Sequence, residues 1–286
     1  MADDRRGPPS SAEQPRWPTS APGQATGWGG ARPTEDGADG AGGRWPGRPG
    51  ALDQAGYGRR RVLPARAAWW AAPGGLAAIV LAGVGASIGQ GLTGSSKGPV
   101  TELLGEVGLW AALVGTAAFV SRRYGTASFR RDYGLSFRTR DPLWGVLAAG
   151  AAIAVAQLVL LGFSGTKFAG SNSQIVTQEK GHELGLVLVA LIVAVGAPFF
   201  EELFFRGFLR TTLQARFGAH GAVWLQAAVF GLAHVGETAG LGNVSLFVAM
   251  FGVGVVLGYT ARLTGRLGAG MTAHCLFNLV AVLSVV

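Results

Sequence analysis

PFFEELFFRGFLRTTLQAR, residues 198–216, sets two adjacent carboxylates, Glu201 and Glu202, inside an apolar helical run, with Arg206 four residues beyond the second. An ionised side chain near the centre of a bilayer costs roughly 2.5–3.5 kcal/mol on insertion scales. Such groups persist in a membrane helix only where something pairs with them or uses them. Residues four apart share a helix face, so Glu202 and Arg206 can neutralise each other. Glu201 projects about 100° away and has no such partner within its own helix. That unpaired carboxylate is the first sign of chemistry.

The composition around this stretch agrees with a membrane setting. Of 286 residues, 49% are hydrophobic and only 14% charged, and the mean hydropathy is +0.34. Soluble domains carry about 25% charged residues. Apolar runs of about 20 residues recur from residue 67 onward, so the expected fold is an all-α, polytopic membrane helical bundle. The net charge of +8 sits mostly in the N-terminal tail and between spans. It reads as a cytoplasmic bias and not as a nucleic-acid surface. The single Cys275 excludes an internal disulfide and any CxxC metal pattern. MADDRRG has no apolar core, so no cleavable signal peptide is expected and the first span serves as the anchor.

Residues 1–62 hold eight of the 13 prolines and no Leu, Ile, Val or Phe before Leu52. Nothing there offsets the entropy of ordering, so a disordered Gly/Pro/Arg-rich cytoplasmic tail is expected. The integral membrane domain follows at 63–286. Its spans are read at 67–92, 102–120, 142–163, 184–218, 218–235, 244–262 and 267–286. That makes seven, and an eighth element can re-enter around 236–243. Pro198 is expected to kink the fourth helix just before the glutamates. Arg122, Arg123, Arg130, Arg131, Arg138 and Arg140 crowd one connection. They place it and the N-terminus in the cytoplasm, and the chain in the plasma membrane. The 164–183 loop faces outside. Arg206, Arg210 and Arg216 suggest a hairpin end protruding into the cytoplasm, and Gly252, Gly254 and Gly258 offer a small-residue packing face.

Few strongly polar groups remain in the apolar half: Glu201, Glu202, Arg206, His234, His274 and Asn278. His234 lies four after Phe230 in FGLAH, and Asn278 four after His274 in HCLFN, so each pair shares a helix face. If the chain turns back near Gly218, the glutamates and His234 stand at nearly equal distances from the turn, at one level. A single His or Asn in a membrane helix is commonly an interhelical hydrogen-bonding residue. His234, His274 and Asn278 converging with an unpaired glutamate, four costly groups in one small volume, are harder to explain as packing alone. His182 and His220 read as solvated, and Cys275 as an apolar filler.

A carboxylate beside an imidazole can polarise water and take its proton. A His and an Asn one turn apart can donate to an oxygen that becomes negative in a tetrahedral intermediate. Glu201 with His234, facing His274 and Asn278, therefore outlines a peptide-bond hydrolase that uses no cofactor. No GxSxG elbow is present, which favours direct attack by water over a covalent route. A zinc-dependent variant would use Glu and His ligands from separate helices, but no HExxH spacing supports it.

EELFFR (Glu201, Glu202, Arg206), FGLAH (Phe230, His234) and HCLFN (His274, Asn278) resemble the motifs EExxxR, FxxxH and HxxxN of the CPBP intramembrane glutamic endopeptidases. That family contains the CAAX prenyl endopeptidases and bacterial immunity-type relatives. The resemblance covers about 140–286. It implies Glu201 and His234 as water activators, His274 and Asn278 as the oxyanion site, and Glu202 with Arg206 as a supporting pair. It also implies no required catalytic metal, a peptide or membrane-protein substrate, and the lipid bilayer as surroundings. Non-catalytic immunity or secretion-accessory relatives supply the alternative, in which the same cluster only locks helices. A proton-coupled transporter using the carboxylate as a relay is a third.

Overall fold

The structure is a computed structural model that describes residues 63–163, 183–235 and 240–284. The expected tail at 1–62, the 164–182 loop with His182, and residues 236–239 of the suggested re-entrant element lie outside the described residues. Within them no strand occurs, and the architecture is helical throughout.

The order is α1 (Ala65–Thr93), α2 (Pro99–Tyr124), the short α3 (Phe129–Asp132), α4 (Asp141–Gly162), α5 (Glu183–Ala233), α6 (Leu241–Thr264) and α7 (Gly268–Leu283). Five of these, α1, α2, α4, α5 and α6, are long and apolar enough to cross a membrane. The 51 residues of α5 suffice to cross twice. α7, with 16 residues, is shorter than a full span. The protein is a multi-pass membrane protein.

α5 breaks at Gly218, whose φ of 69° is open to glycine and strained for other residues. Beyond it the chain returns: the Phe205 and Phe230 rings meet edge to face at 5.1 Å. The hairpin expected around Gly218 therefore forms, and the apolar helices follow one another in the expected order. One correction accompanies it. Arg206 and Arg210, expected at the protruding end with Arg216, are buried, Arg210 Nε donating to the Arg206 carbonyl at 3.1 Å. His220 is exposed, as expected, and also hydrogen-bonds the Tyr259 hydroxyl at 2.8 Å.

Packing is set by glycines that let neighbours close in. α1 and α2 form an antiparallel pair in which a Cβ at Gly85 would stand 1.9 Å from the Leu104 carbonyl oxygen. Gly254 and Gly258 of α6 do face the returning arm of α5, against Ala227 and Gln226. Gly252 is not on that face; it meets Val155 of α4. α4 in turn packs on α7, with Gly145 against Thr272.

The arginine-rich connection between α2 and α4 is built on buried acids. Asp132 accepts from the Ser121 hydroxyl at 2.5 Å and the Thr126 amide at 2.9 Å. Asp141 pairs with Arg266, Oδ1 to Nε at 2.6 Å. The intervening segment hydrogen-bonds the start of α7, Leu267 N–H to the Gly134 carbonyl at 3.0 Å and Gly268 N–H to that of Ser136 at 3.2 Å. Tyr133 packs in the core, its hydroxyl donating to the Ala117 carbonyl at 2.7 Å. Burial, and then the Asp132 charge, push its phenol well above the usual range, so it remains a donor.

Candidate active site

Pro198 does more than kink α5. Before it, residues Ile192–Gly196 form a π-helical turn, in which the Ala197 N–H donates to the Ile192 carbonyl, five residues back. A second π segment, Glu202–Leu209, follows the short α-helical stretch Ala197–Glu201. A proline lacks an N–H and crowds the carbonyl four residues earlier, and widening the preceding turn relieves both problems. Such π turns recur at functional sites. Both glutamates sit at the junction between the α-helical stretch and the second π segment.

Glu202 and Arg206 are both fully buried and form an ion pair, Oε1 to Nη1 at 3.0 Å. The same Oε1 faces His274 Nδ1 at 3.1 Å. A carboxylate can only accept here, so Nδ1 carries the hydrogen. Gly270, one turn before His274, makes room for this contact: a Cβ there would stand 2.8 Å from Glu202 Oε2. The guanidinium of Arg206 lies over the Phe230 ring, 4.1 Å from its centroid. This cation–π contact gives the aromatic residue of FGLAH a physical task, covering a buried cation that has few acceptors around it.

Glu201 differs from its neighbour. Its side chain is one-fifth exposed (20%), and its Oε2 lies 3.9 Å from His274 Nε2. That is too long for a hydrogen bond, and Oε2, although the side chain as a whole is partly open, is itself buried without a hydrogen-bond partner. His274 thus stands between the two carboxylates, one on each ring nitrogen. His234 closes α5: its Nδ1 donates to the Phe230 carbonyl at 2.8 Å, leaving Nε2 as an acceptor. Both imidazoles adjoin the Phe230 ring, His234 with centroids at 4.6 Å and His274 at 5.8 Å. Asn278 donates through Nδ2 to the Val193 carbonyl at 2.8 Å.

All seven residues singled out in the sequence therefore lie along one connected path, from Asn278 on α7 through His274 and the glutamates to Phe230 and His234. What the sequence did not single out is Gly270, whose only signal is its place one turn before His274, and the Val193 carbonyl, for which Pro198 is the signal. Among the described residues no three His, Cys, Asp or Glu side chains form a group disposed to hold a metal ion. Cys275, the free cysteine, is partly buried.

The fold and the cluster together define a polytopic helical membrane protein with a carboxylate–imidazole–guanidinium centre walled into its bundle. Residues 183–280, which contain every member of that centre, match the family described as type II CAAX prenyl endopeptidase Rce1-like. This is the family that the three motifs resemble. No curated protein and no solved structure matches the chain.

Proposed function

We propose that the protein is an intramembrane endopeptidase that hydrolyses a peptide bond near the cytoplasmic leaflet with water activated by Glu201. The observation that carries this reading is the placement of Glu201, partly open, 3.9 Å from an imidazole whose far nitrogen is fixed by Glu202 at 3.1 Å. The Rce1-like match over the same residues supports it.

In the proposed reaction a water held at Glu201 gives one hydrogen to the carboxylate and directs the other to the free Nε2 of His234. Its oxygen attacks the substrate carbonyl carbon, and the carbonyl electron pair moves onto oxygen. In its charged form His274, anchored through Nδ1 by Glu202, points Nε2–H into the site and stabilises that oxyanion. Collapse breaks the C–N bond, and Glu201 passes its proton to the leaving amine. Arg206 offsets the two carboxylates, and Phe230 shields it. Asn278 gives one Nδ2 hydrogen to the Val193 carbonyl and keeps the second for the same oxyanion. We place the N-terminus in the cytoplasm and the chain in the plasma membrane, on the arginines between α2 and α4, and the catalytic core at about 140–286, since α4 packs directly on α7.

The test compares membrane-protein fragments by mass spectrometry in cells carrying the natural chain or Glu201→Gln. Loss of a general base costs about 10²–10⁴ in rate, so fragments dependent on the enzyme should vanish while the protein still accumulates. Identical fragment patterns, with biological function retained in Glu201→Gln and His234→Ala, would sink the enzyme. They would favour the second reading, an immunity or accessory protein in which the fully buried Glu202–Arg206 pair, through the Glu202–His274 contact, only locks α5 to α7.

A further inference from the structure

His220 and Arg262 take no part in the charged centre, and they meet around one tyrosine. Tyr259 of α6 hydrogen-bonds His220 Nδ1 at 2.8 Å, the two ring centroids 5.7 Å apart. The Arg262 guanidinium lies over the same Tyr259 ring, 5.9 Å from its centroid. The cluster stands at the end of the bundle where α5 turns back at Gly218 and α6 stops at Gly265. It borders lipid and not the interior. Trp224 follows His220 by four residues, so the two share a helix face, and Trp224 is exposed beside Phe251 of α6. An exposed tryptophan on a membrane helix marks the interfacial belt. One turn further along that face, about 6 Å, lies the headgroup level, and there His220, Tyr259 and Arg262 stand.

The three side chains present donors together. Whichever partner donates in the His220–Tyr259 bond, one hydrogen stays free, on His220 Nε2 or on the Tyr259 hydroxyl. Arg262 adds a planar fork of N–H groups that matches phosphate oxygens. No carboxylate competes for it: among the described residues none forms an ion pair with Arg262. The one acid between Leu203 and Arg266 is Glu237, which precedes α6, whereas Arg262 is in its last turn. A last-turn arginine also suits the helix dipole, so its charge alone is no signature. The hydroxyl and imidazole beside it are.

We propose that His220, Tyr259 and Arg262 form a site for the phosphate of an anionic phospholipid on the lipid-facing side of α5 and α6. Arg262 takes phosphate oxygens through its fork, and the His220–Tyr259 pair donates a further bond. The acyl chains run back past Trp224 into the hydrocarbon. With an uncompensated cation and no carboxylate to receive an ammonium group, the cluster selects anionic over zwitterionic headgroups. No residue of the charged centre takes part, so the site stands or falls apart from the protease reading.

The experiment follows the melting temperature of the full-length protein in a neutral detergent during titration with one of three probes. These are a short-chain phosphatidylglycerol, the phosphatidylcholine with the same chains, and inorganic phosphate. Phosphatidylglycerol should raise the melting temperature saturably, and the other two should do little at equal concentration. Arg262→Gln should weaken the apparent affinity for phosphatidylglycerol on the order of ten-fold, and Tyr259→Phe a few-fold. Arg262→Lys keeps the charge but loses the fork, so it should fall between the natural chain and Arg262→Gln. Arg130→Gln removes an equal charge from an exposed residue of α3 and should leave the titration unchanged. Melting without lipid checks each fold, and Tyr259→Phe, which keeps the ring, carries the comparison if Arg262→Gln does not fold. Equal weakening by Arg130→Gln and Arg262→Gln would overturn the site in favour of diffuse attraction to a basic surface. Stabilisation by inorganic phosphate as strong as that by phosphatidylglycerol would overturn the lipid and leave a free-anion site. No response to phosphatidylglycerol, or the same response to phosphatidylcholine, would overturn the proposal outright.

Discussion

α1–α2 and α5–α7 are both built of apolar helices, yet they are held together by different means. In the α1–α2 pair, backbone meets backbone: Gly85 lies against the Leu104 carbonyl, and Gly108 against that of Leu81. Only 11% of the apolar stretch of α1 is buried within the protein, against 44% for α6. In α5–α7, fully buried Glu202 and Arg206, with His274 beside them, tie two helices across the interior. Between membrane helices the hydrophobic effect gives little attraction, because lipid is as apolar as leucine. Close backbone packing is a sufficient substitute, as α1–α2 shows. The buried charges of α5–α7 are thus a second and costlier way of joining helices, and the proposed function gives them chemistry.

The sharpest way to break this contrast is to strip the polar half of its charges. Glu202→Ala should cost about 3–5 kcal/mol in unfolding measured in detergent, because it leaves a buried guanidinium without its counter-ion. Replacing both partners by apolar residues of similar volume, Glu202→Met with Arg206→Leu, should recover most of that stability. Proteolysis should not return with it. A double variant as unstable as Glu202→Ala would mean the charges hold the fold after all.

The corresponding test of the other half is Gly85→Ala. A methyl group there collides with a backbone carbonyl that cannot swing aside, so we expect a loss of about 3 kcal/mol. The folded fraction should retain its kcat. Gly75, with nothing within 4 Å of its Cβ position, serves as the neutral comparison. Gly270→Ala probes the same kind of contact where it borders the charges. Pressing on Glu202 Oε2 from 2.8 Å should disturb its hold on His274 and lower kcat on the order of ten- to hundred-fold, at modest cost to melting.

What the sequence allowed to be read follows the same division. Hydropathy revealed the helices because each must fill about 20 residues of hydrocarbon, and buried charge revealed the site because each charge there is costly. The hairpin at Gly218 could be inferred from the matching distances of the glutamates and His234 along the chain, and the arms do meet, Arg206 against Phe230. Three things could not be read. Which neighbour Gly252 meets, α4 or α5, depends on the rotation of α6, although its standing about 200° around the helix from Gly254 follows from the helix period. The burial of Arg210 depends on the π register of the turn before it, and a 3.6-residue period cannot anticipate that. Asp132 and Asp141 drew no reading at all, because their partners, Ser121 and Arg266, lie on other elements.

The smallest expected effect tests whether the two halves are independent. Tyr133 reaches from the segment beside α7 to α2, donating to the Ala117 carbonyl at 2.7 Å, and Gly207 of α5 packs against its Cβ. A helix carbonyl keeps its own backbone donor when a second one is removed. Tyr133→Phe should therefore cost only about 1 kcal/mol, with the ring still filling its place. Activity should stay within a factor of two, since neither the Glu202–His274 contact nor the start of α7 depends on that hydroxyl. A loss of activity beyond ten-fold at unchanged melting temperature would show that α2 communicates with the charged centre through this bond. The hairpin would then belong to the catalytic machinery, and the contrast between a packed half and a reactive half would fail.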